Sequence, residues 1–188
     1  MKIGRVLVLL VGLGLGALLY WGFVQPVLKA RKGPPGQPES VNGSTSPSTS
    51  PGGSVKLYVL NSESGLLVPH PVHVAKGTDP AEFALRELAG PTYRKPENWS
   101  LVPRGVTPLK VIRQSRRVVV DYPQDFVAKF PPGSDVGYLT VQSIVATLTS
   151  IEGVTEVEFQ IEGSPVRSLG QVDVTPPVSL DRTVLSQR

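Results

Sequence analysis

The chain has 188 residues, no cysteine, two histidines and a formal net charge of +4. That length suits one domain with accessory segments, and the missing cysteines exclude disulfides and a lipid-modified N-terminal cysteine. The basic excess is confined to one end: residues 1–54 hold five Lys/Arg and one acidic residue, residues 55–188 fourteen of each. A nucleic-acid binder would carry its excess on the folded domain, so no nucleic-acid partner is expected.

The first element is apolar. Val6 to Val24 is a run of 19 residues without a charge. As a helix it covers roughly 28 Å, close to the hydrocarbon core of a bilayer. Tyr20 and Trp21 lie near one end, where amphipathic rings favour the headgroup level, and Lys2 and Arg5 flank the other. A cleaved signal peptide has a shorter core and a small-residue cleavage site; here bulky Tyr20, Trp21 and Phe23 follow, so a retained single-pass anchor over residues 1–28 is expected. Lys29, Arg31 and Lys32 balance Lys2 and Arg5, so flanking charge assigns no orientation. These cations suit anionic lipid headgroups, which makes membrane lipid the first expected partner.

A linker follows over residues 29–54. Of positions 33–54, 18 of 22 are Gly, Pro, Ser or Thr, too polar to bury a core. A flexible chain of that length spans roughly 25 Å. From Val55 the signals alternate. Val55 to Leu60 reads as a strand, and Leu66 to Val74, interrupted by Pro69 and Pro71, as an edge strand at best. Asp79, Pro80 and Glu82 have the spacing of a helix N-terminus with a capping box. Ala81, Ala84, Leu85 and Leu88 form its apolar face, and Gly90-Pro91 ends it.

Thr92 to Pro108 is a looser stretch before a hairpin of Leu109 to Arg113 and Val118 to Tyr122. A second helix starts near Ser134 or Asp135, with Tyr138, Val141, Val145 and Leu148 on one face, and stops at Gly153. Glu156 to Glu162 alternates apolar and polar residues, the mark of a strand with one buried face. Gln171 to Thr175 offers a last strand. The expected fold is α/β (α+β): a two-layer sandwich with a mostly antiparallel or mixed sheet and two helices on one face. It occupies residues 55–175, before a C-terminal tail at 176–188.

Candidate chemistry is sparse. His70 and His73, three apart on an extended segment, point to opposite faces and have no cysteine to join them, so no metal site is expected. Asp121 and Asp125 are a possible carboxylate pair for hydrolysis, but Asp121-Tyr-Pro-Gln-Asp125 reads better as a strand end and turn. No Gly-x-Ser-x-Gly elbow or phosphate-binding loop occurs in the domain, so neither catalytic residues nor a cofactor is expected. Two charged groups remain as candidate partner contacts: a basic cluster of Arg113, Arg116 and Arg117, and an acidic stripe of Glu156, Glu158 and Glu162. On opposite edges they would pair between neighbouring copies or with a partner.

Several motifs in order carry a resemblance. They are Leu57-Tyr58-Val59, Leu88-Ala-Gly90-Pro91, Pro103-Arg-Gly-Val-Thr107, Val118-Val-Val-Asp121-Tyr-Pro-Gln-Asp125-Phe126, Ser143-Ile-Val-Ala-Thr147-Leu148-Thr149 and Val154-Thr-Glu-Val157-Glu-Phe159-Gln-Ile161-Glu-Gly163. Residues from about Val55 to Val174 resemble the sporulation and spore germination domain called GerMN. The resemblance implies a fold similar to ring-building domains of secretion systems and an extracytoplasmic domain at the cell membrane of a spore-forming or related Gram-positive bacterium. It also implies a non-enzymatic role in assembling or positioning envelope complexes, with envelope proteins or further copies of the chain as partners. Some members carry two domain copies and a lipid-attachment cysteine; this chain has neither. Two other functions compete with it. A wall-glycan binder would use exposed aromatics such as Tyr93, Trp99 and Tyr122, and a wall hydrolase would use Asp121 or Asp125.

Overall fold

The computed structural model describes residues 53–186. The expected anchor and most of the expected linker lie outside that range. Among the described residues, ten strands, three α-helices and a 3-10 turn follow one another: β1 (Ser54–Asn61), β2 (Leu66–His73), α1 (Pro80–Ala89), β3 (Arg94–Lys95), β4 (Asn98–Trp99), β5 (Lys110–Gln114), β6 (Arg117–Tyr122), α2 (Gln124–Ala128), α3 (Ser134–Thr149), β7 (Glu156–Ile161), β8 (Ser164–Pro165), β9 (Ser168–Leu169), β10 (Val172–Asp173) and a 3-10 turn at Arg182–Val184.

The mixed α+β character agrees with the sequence reading, but the single sheet does not. The strands form two four-stranded sheets, ordered β2-β1-β4-β3 and β5-β6-β7-β8, and a β9-β10 ribbon. Of the strand pairs among the described residues only β6 and β7 run parallel, and α2 and α3 make the crossover between them. The last expected strand therefore pairs in the ribbon rather than in a main sheet.

The α3 helix explains the division. It packs against β1 of one sheet, β7 of the other, β10 and α1. Contact with so many elements buries it from Thr140 through Leu148, far beyond the single face that its apolar spacing implies. Leu57, Leu85, Leu88, Ile144, Leu148 and Phe159 are fully buried in one continuous core. Removing each such side chain from water is worth roughly 1.5–3 kcal/mol.

Polar groups complete the α3–β1 contact. The Tyr58 amide donates to Thr147 Oγ1 at 2.9 Å, and Ser143 Oγ donates to the Tyr58 carbonyl. One turn further on, the Lys56 amide donates to Ser150 Oγ at 3.1 Å. A row of hydroxyls thus takes the place of a neighbouring strand along this edge of β1. Because Lys56 and Tyr58 turn their backbone groups toward α3, their partners across the ladder, Pro71 and Pro69, face outward. Neither proline interrupts a ladder bond, and β2 runs its full eight residues as the edge strand.

The helix ends follow the sequence signals with two changes. Asp79 caps α1 by accepting from the Glu82 amide at 2.8 Å, but the Glu82 carboxylate pairs with Arg86 instead of closing the capping box. Gly90 ends α1 with φ −73°, outside the left-handed region. A Cβ there would meet the Glu87 carbonyl at 3.1 Å, so close approach, not handedness, favours glycine. β7 stops at Ile161 because Glu162 and Gly163, with φ of 50° and 80°, make the two-residue turn into β8. Glu162 therefore leaves the acidic stripe.

Residues beyond β10 are ordered against the domain. Val178 exchanges backbone bonds of 2.9 and 2.8 Å with Val157, and the Ser186 amide donates to the Leu67 carbonyl at 2.9 Å. Gln142, buried on α3, accepts from the Asp181 amide at 3.0 Å. Tyr138, expected on the apolar face of α3, instead is partly exposed and donates to Asp181 Oδ2 at 2.7 Å.

Candidate interaction surface

The outer face of the second sheet collects most of the charged candidates. Its registers align Arg117 with Glu156 and Val119 with Glu158. Arg117 Nη2 lies 3.3 Å from Glu156 Oε2, and its Nη1 lies 3.1 Å from Glu158 Oε2. Gln160 Nε2 also donates to Glu158 at 3.1 Å. The basic and acidic groups are thus neighbours on one face and pair within one chain at Arg117. Each such half-exposed pair contributes modestly, about 0.2–1 kcal/mol.

The other two arginines are differently placed. Arg113 lies on β5, and its Nη2 donates to the Glu152 carbonyl. The same nitrogen sits 2.8 Å from where a Cβ on Gly153 would be, and Gly153 has φ 78°. Arg116 is exposed in the β5–β6 turn, next to Ser115 with φ 54°. Its carbonyl accepts from the Thr155 amide at 2.8 Å.

The remaining candidates are spread across the domain. Asp121 accepts from the Gly163 amide at 2.9 Å, whereas Asp125 is paired with Lys129 at 2.8 Å. Each carboxylate has a structural partner, Asp121 at a strand end and Asp125 in the first turn of α2. His70 packs against Tyr93 with ring centroids 5.4 Å apart, and His73 is exposed. Burial raises the Tyr93 hydroxyl pKa, with Glu87 adding to it. Of the aromatics expected to be accessible, Trp99 is exposed and Tyr93 half-buried, but Tyr122 is fully buried. Tyr122 stacks on Phe126 at 4.0 Å, so it belongs to the core and leaves the set of glycan contacts.

Three features escaped the sequence reading. The hydroxyl row on α3 is one, and the Tyr138–Gln142 clamp on the tail is another. The third is Arg94, which donates to the carbonyls of Leu88, Gly90, Ser100 and Val102 at 2.6–3.2 Å. With Ser100 Oγ, which also donates to the Leu88 carbonyl, it satisfies the end of α1. Burial and the neighbouring Arg104 lower its pKa. Nothing short of the folded path of residues 88–102 places these carbonyls around one side chain.

Among the described residues no helix is long and apolar enough to cross a membrane. The uncharged run at 6–24 lies outside them.

Residues 56–167 match the sequence profile of the Germane family, described as sporulation and spore germination. Two solved structures share the fold. The tandem GerMN domains of the sporulation protein GerM from Bacillus subtilis superimpose with TM-score 0.58 at 20% identity, covering 69% of this chain and 46% of that one. The first GerMN domain of the same protein gives TM-score 0.57 at 20% identity, covering 67% of this chain and 96% of that one. This chain therefore spans less than half of the tandem-domain structure and nearly all of the single-domain one. No curated protein sequence matches it. With the family profile matched over more than half of its length, the chain belongs to the Germane (GerMN) family of sporulation and spore germination domains.

Proposed function

We propose that this protein is a non-enzymatic interaction module, tethered to the cell membrane with its domain on the extracytoplasmic side, which assembles or positions an envelope complex in sporulation or germination. The observation that carries the reading is the family membership of residues 56–167. A 19-residue uncharged run and a Gly/Pro/Ser/Thr-rich segment precede that domain and supply an anchor and a spacer. The two aspartates considered for hydrolysis make separate structural contacts, which favours binding over turnover.

The test is photo-crosslinking in spore-forming cells with the full chain carrying a crosslinker at exposed Arg116, Glu152 or Trp99. The expected products join this chain to a protein of a membrane complex or to a second copy. Absence of envelope crosslinks from all three positions, together with a purified chain that stays monomeric at high concentration, would overturn the reading. Wall-glycan binding retains Trp99 and half-buried Tyr93 as contacts; co-sedimentation with purified wall, abolished by Trp99→Ala, is its signature.

A further inference from the structure

The four long strand edges of the two sheets are treated unequally. On β1 the hydroxyl row of α3 covers one edge. On β2 the outward positions include Pro69 and Pro71, and residues Leu185 and Ser186 lie against Leu67. On β7, Val178 and β8 cover the edge away from β6. Among the described residues only β5 is left without cover.

Which of its groups point outward follows from β6. The carbonyls of Arg116 and Tyr122 accept from amides at Glu156 and Glu162, so the even residues of β6 face β7 and the odd ones face β5. Arg117, Val119 and Asp121 then pair with Gln114, Ile112 and Lys110. The amides and carbonyls of Val111 and Arg113 are left pointing away from the sheet, and none has a partner among the described residues.

Two further features bear on what fits there. Beside this edge is a notch of about 50 Å³, lined by Pro80, Ala81, Val111, Val118, Ile151 and Val154, with Arg113 and the capping Asp79 also bordering it. Lys110 and Arg113 on β5 and Arg116 in the following turn line the edge with three cations, of which Lys110 has Asp121 across the ladder, whereas Arg117 is already paired with Glu156 and Glu158. Antiparallel pairing of two β5 strands about Ile112 sets Lys110 opposite Gln114 and Arg113 opposite Val111, and it brings Arg113 diagonal to the second copy's Arg113 and Lys110 diagonal to its Arg116, within reach of these long side chains. Charge thus discourages a second copy and selects an acidic strand.

We propose that β5 is a strand-addition site for an extended acidic segment of a protein partner, with backbone bonds to Val111 and Arg113, carboxylates toward Lys110 and Arg116, and one apolar side chain in the notch. Strand addition takes affinity from the main chain and specificity from alternate side chains. The inference rests on the reading of the domain as an interaction module.

The test is amide hydrogen exchange on the full chain in a zwitterionic detergent, with the blocked peptide acetyl-Val-Glu-Val-Glu-Val-amide and its lysine counterpart as probes. At ten times its dissociation constant the acidic peptide should slow exchange at Val111 and Arg113 by about tenfold. The lysine peptide should leave both unchanged. Val111→Pro, which removes an outward amide but no ladder bond, should abolish the effect, and Lys110→Gln, which removes the cation without setting a second carboxylate opposite Asp121, should weaken it. Equal protection by both peptides, no protection by either, or protection that survives Lys110→Gln unchanged would overturn the proposal. If cells yield envelope crosslinks from another surface while this edge stays unprotected, strand addition falls and the interaction module stands.

Discussion

Thr147→Val isolates the hydroxyl row. Valine keeps the shape of threonine, so the fully buried site gains no cavity, but the Tyr58 amide loses the acceptor it holds at 2.9 Å. An orphaned, largely buried amide costs about 1–3 kcal/mol. Tyr58 is only part-buried, and a methyl replaces a hydroxyl in an apolar setting, so the lower half of that range applies: about 1–2 kcal/mol. For a domain of this size the shift is roughly 3–8 °C in Tm. The internal control is Thr140→Val on the same helix. Thr140 is equally buried, but its Oγ1 donates to the Val136 carbonyl of its own helix at 2.7 Å and reaches no strand. Its loss should cost less than about 0.5 kcal/mol, since that carbonyl keeps its helical bond. Thermal unfolding by circular dichroism measures both, and amide exchange at Tyr58 should accelerate in the first variant only. Equal losses from the two substitutions, or an unchanged Tyr58 exchange rate, would refute the edge-capping argument.

Other substitutions probe separate features. Arg94→Met removes donors from four carbonyls and should destabilise by about 2–4 kcal/mol in urea unfolding, and Arg94→Lys should recover little of it because an ammonium does not match the spread of the fork. Tyr122→Phe should be neutral or stabilise by up to about 1 kcal/mol, since the buried Tyr122 hydroxyl has no hydrogen-bond partner among the described residues. Gly153→Ala should lower Tm, because alanine is strained at φ 78° and its Cβ collides with Arg113. The Tyr138 phenol, raised from 10.0 to about 12 by burial and the Asp181 hydrogen bond, should titrate near that value by absorbance, and Asp181→Asn should lower it. Its raised pKa means the clamp on the tail persists below pH 10 and is lost as pH rises toward about 12. Asp181, lowered by hydrogen bonds from Thr183 and then Tyr138, has the opposite sign: its contribution holds above pH 3.8 and is lost as pH falls through its lower folded value. Exchange at the Ser186 amide should therefore speed up at both extremes.

Local signals in the sequence carried the elements well and their arrangement poorly. The Asp79-Pro80 start of α1, the alternation in β7 and the outward prolines of β2 depend on residues within one turn or one strand, and each appears where its spacing puts it. The division into two sheets depends on α3 touching strands about 90 residues earlier in the chain, and no period in the sequence of α3 reports that. Its hydroxyls are the trace. Ser143, Thr147 and Ser150 lie at i, i+4 and i+7, a helical stripe like any apolar one, but polar in a helix otherwise rich in Val, Ile, Ala and Leu. Buried hydroxyls require partners, so such a stripe predicts a backbone edge beside it. The charged candidates misled for a related reason. Arg117 and Glu156 are 39 positions apart in sequence, and only the parallel β6–β7 register makes them neighbours.

The same physics distinguishes the edges that the fold keeps closed from the one it leaves open. A strand edge with free amides and carbonyls pairs with any strand of suitable shape unless something prevents it. Three means of prevention are at work here: side-chain hydroxyls on β1, missing amides on β2 and chain segments laid along β7. Each removes backbone groups from reach of any partner. Charge on β5 acts differently, because it leaves the amides and carbonyls of Val111 and Arg113 accessible and raises the cost only for a cationic strand. An edge closed by covering cannot discriminate, whereas an edge guarded by charge rejects its own kind and admits the opposite. For a module whose proposed work is to join a particular assembly at the envelope, selective openness at β5 serves better than full closure.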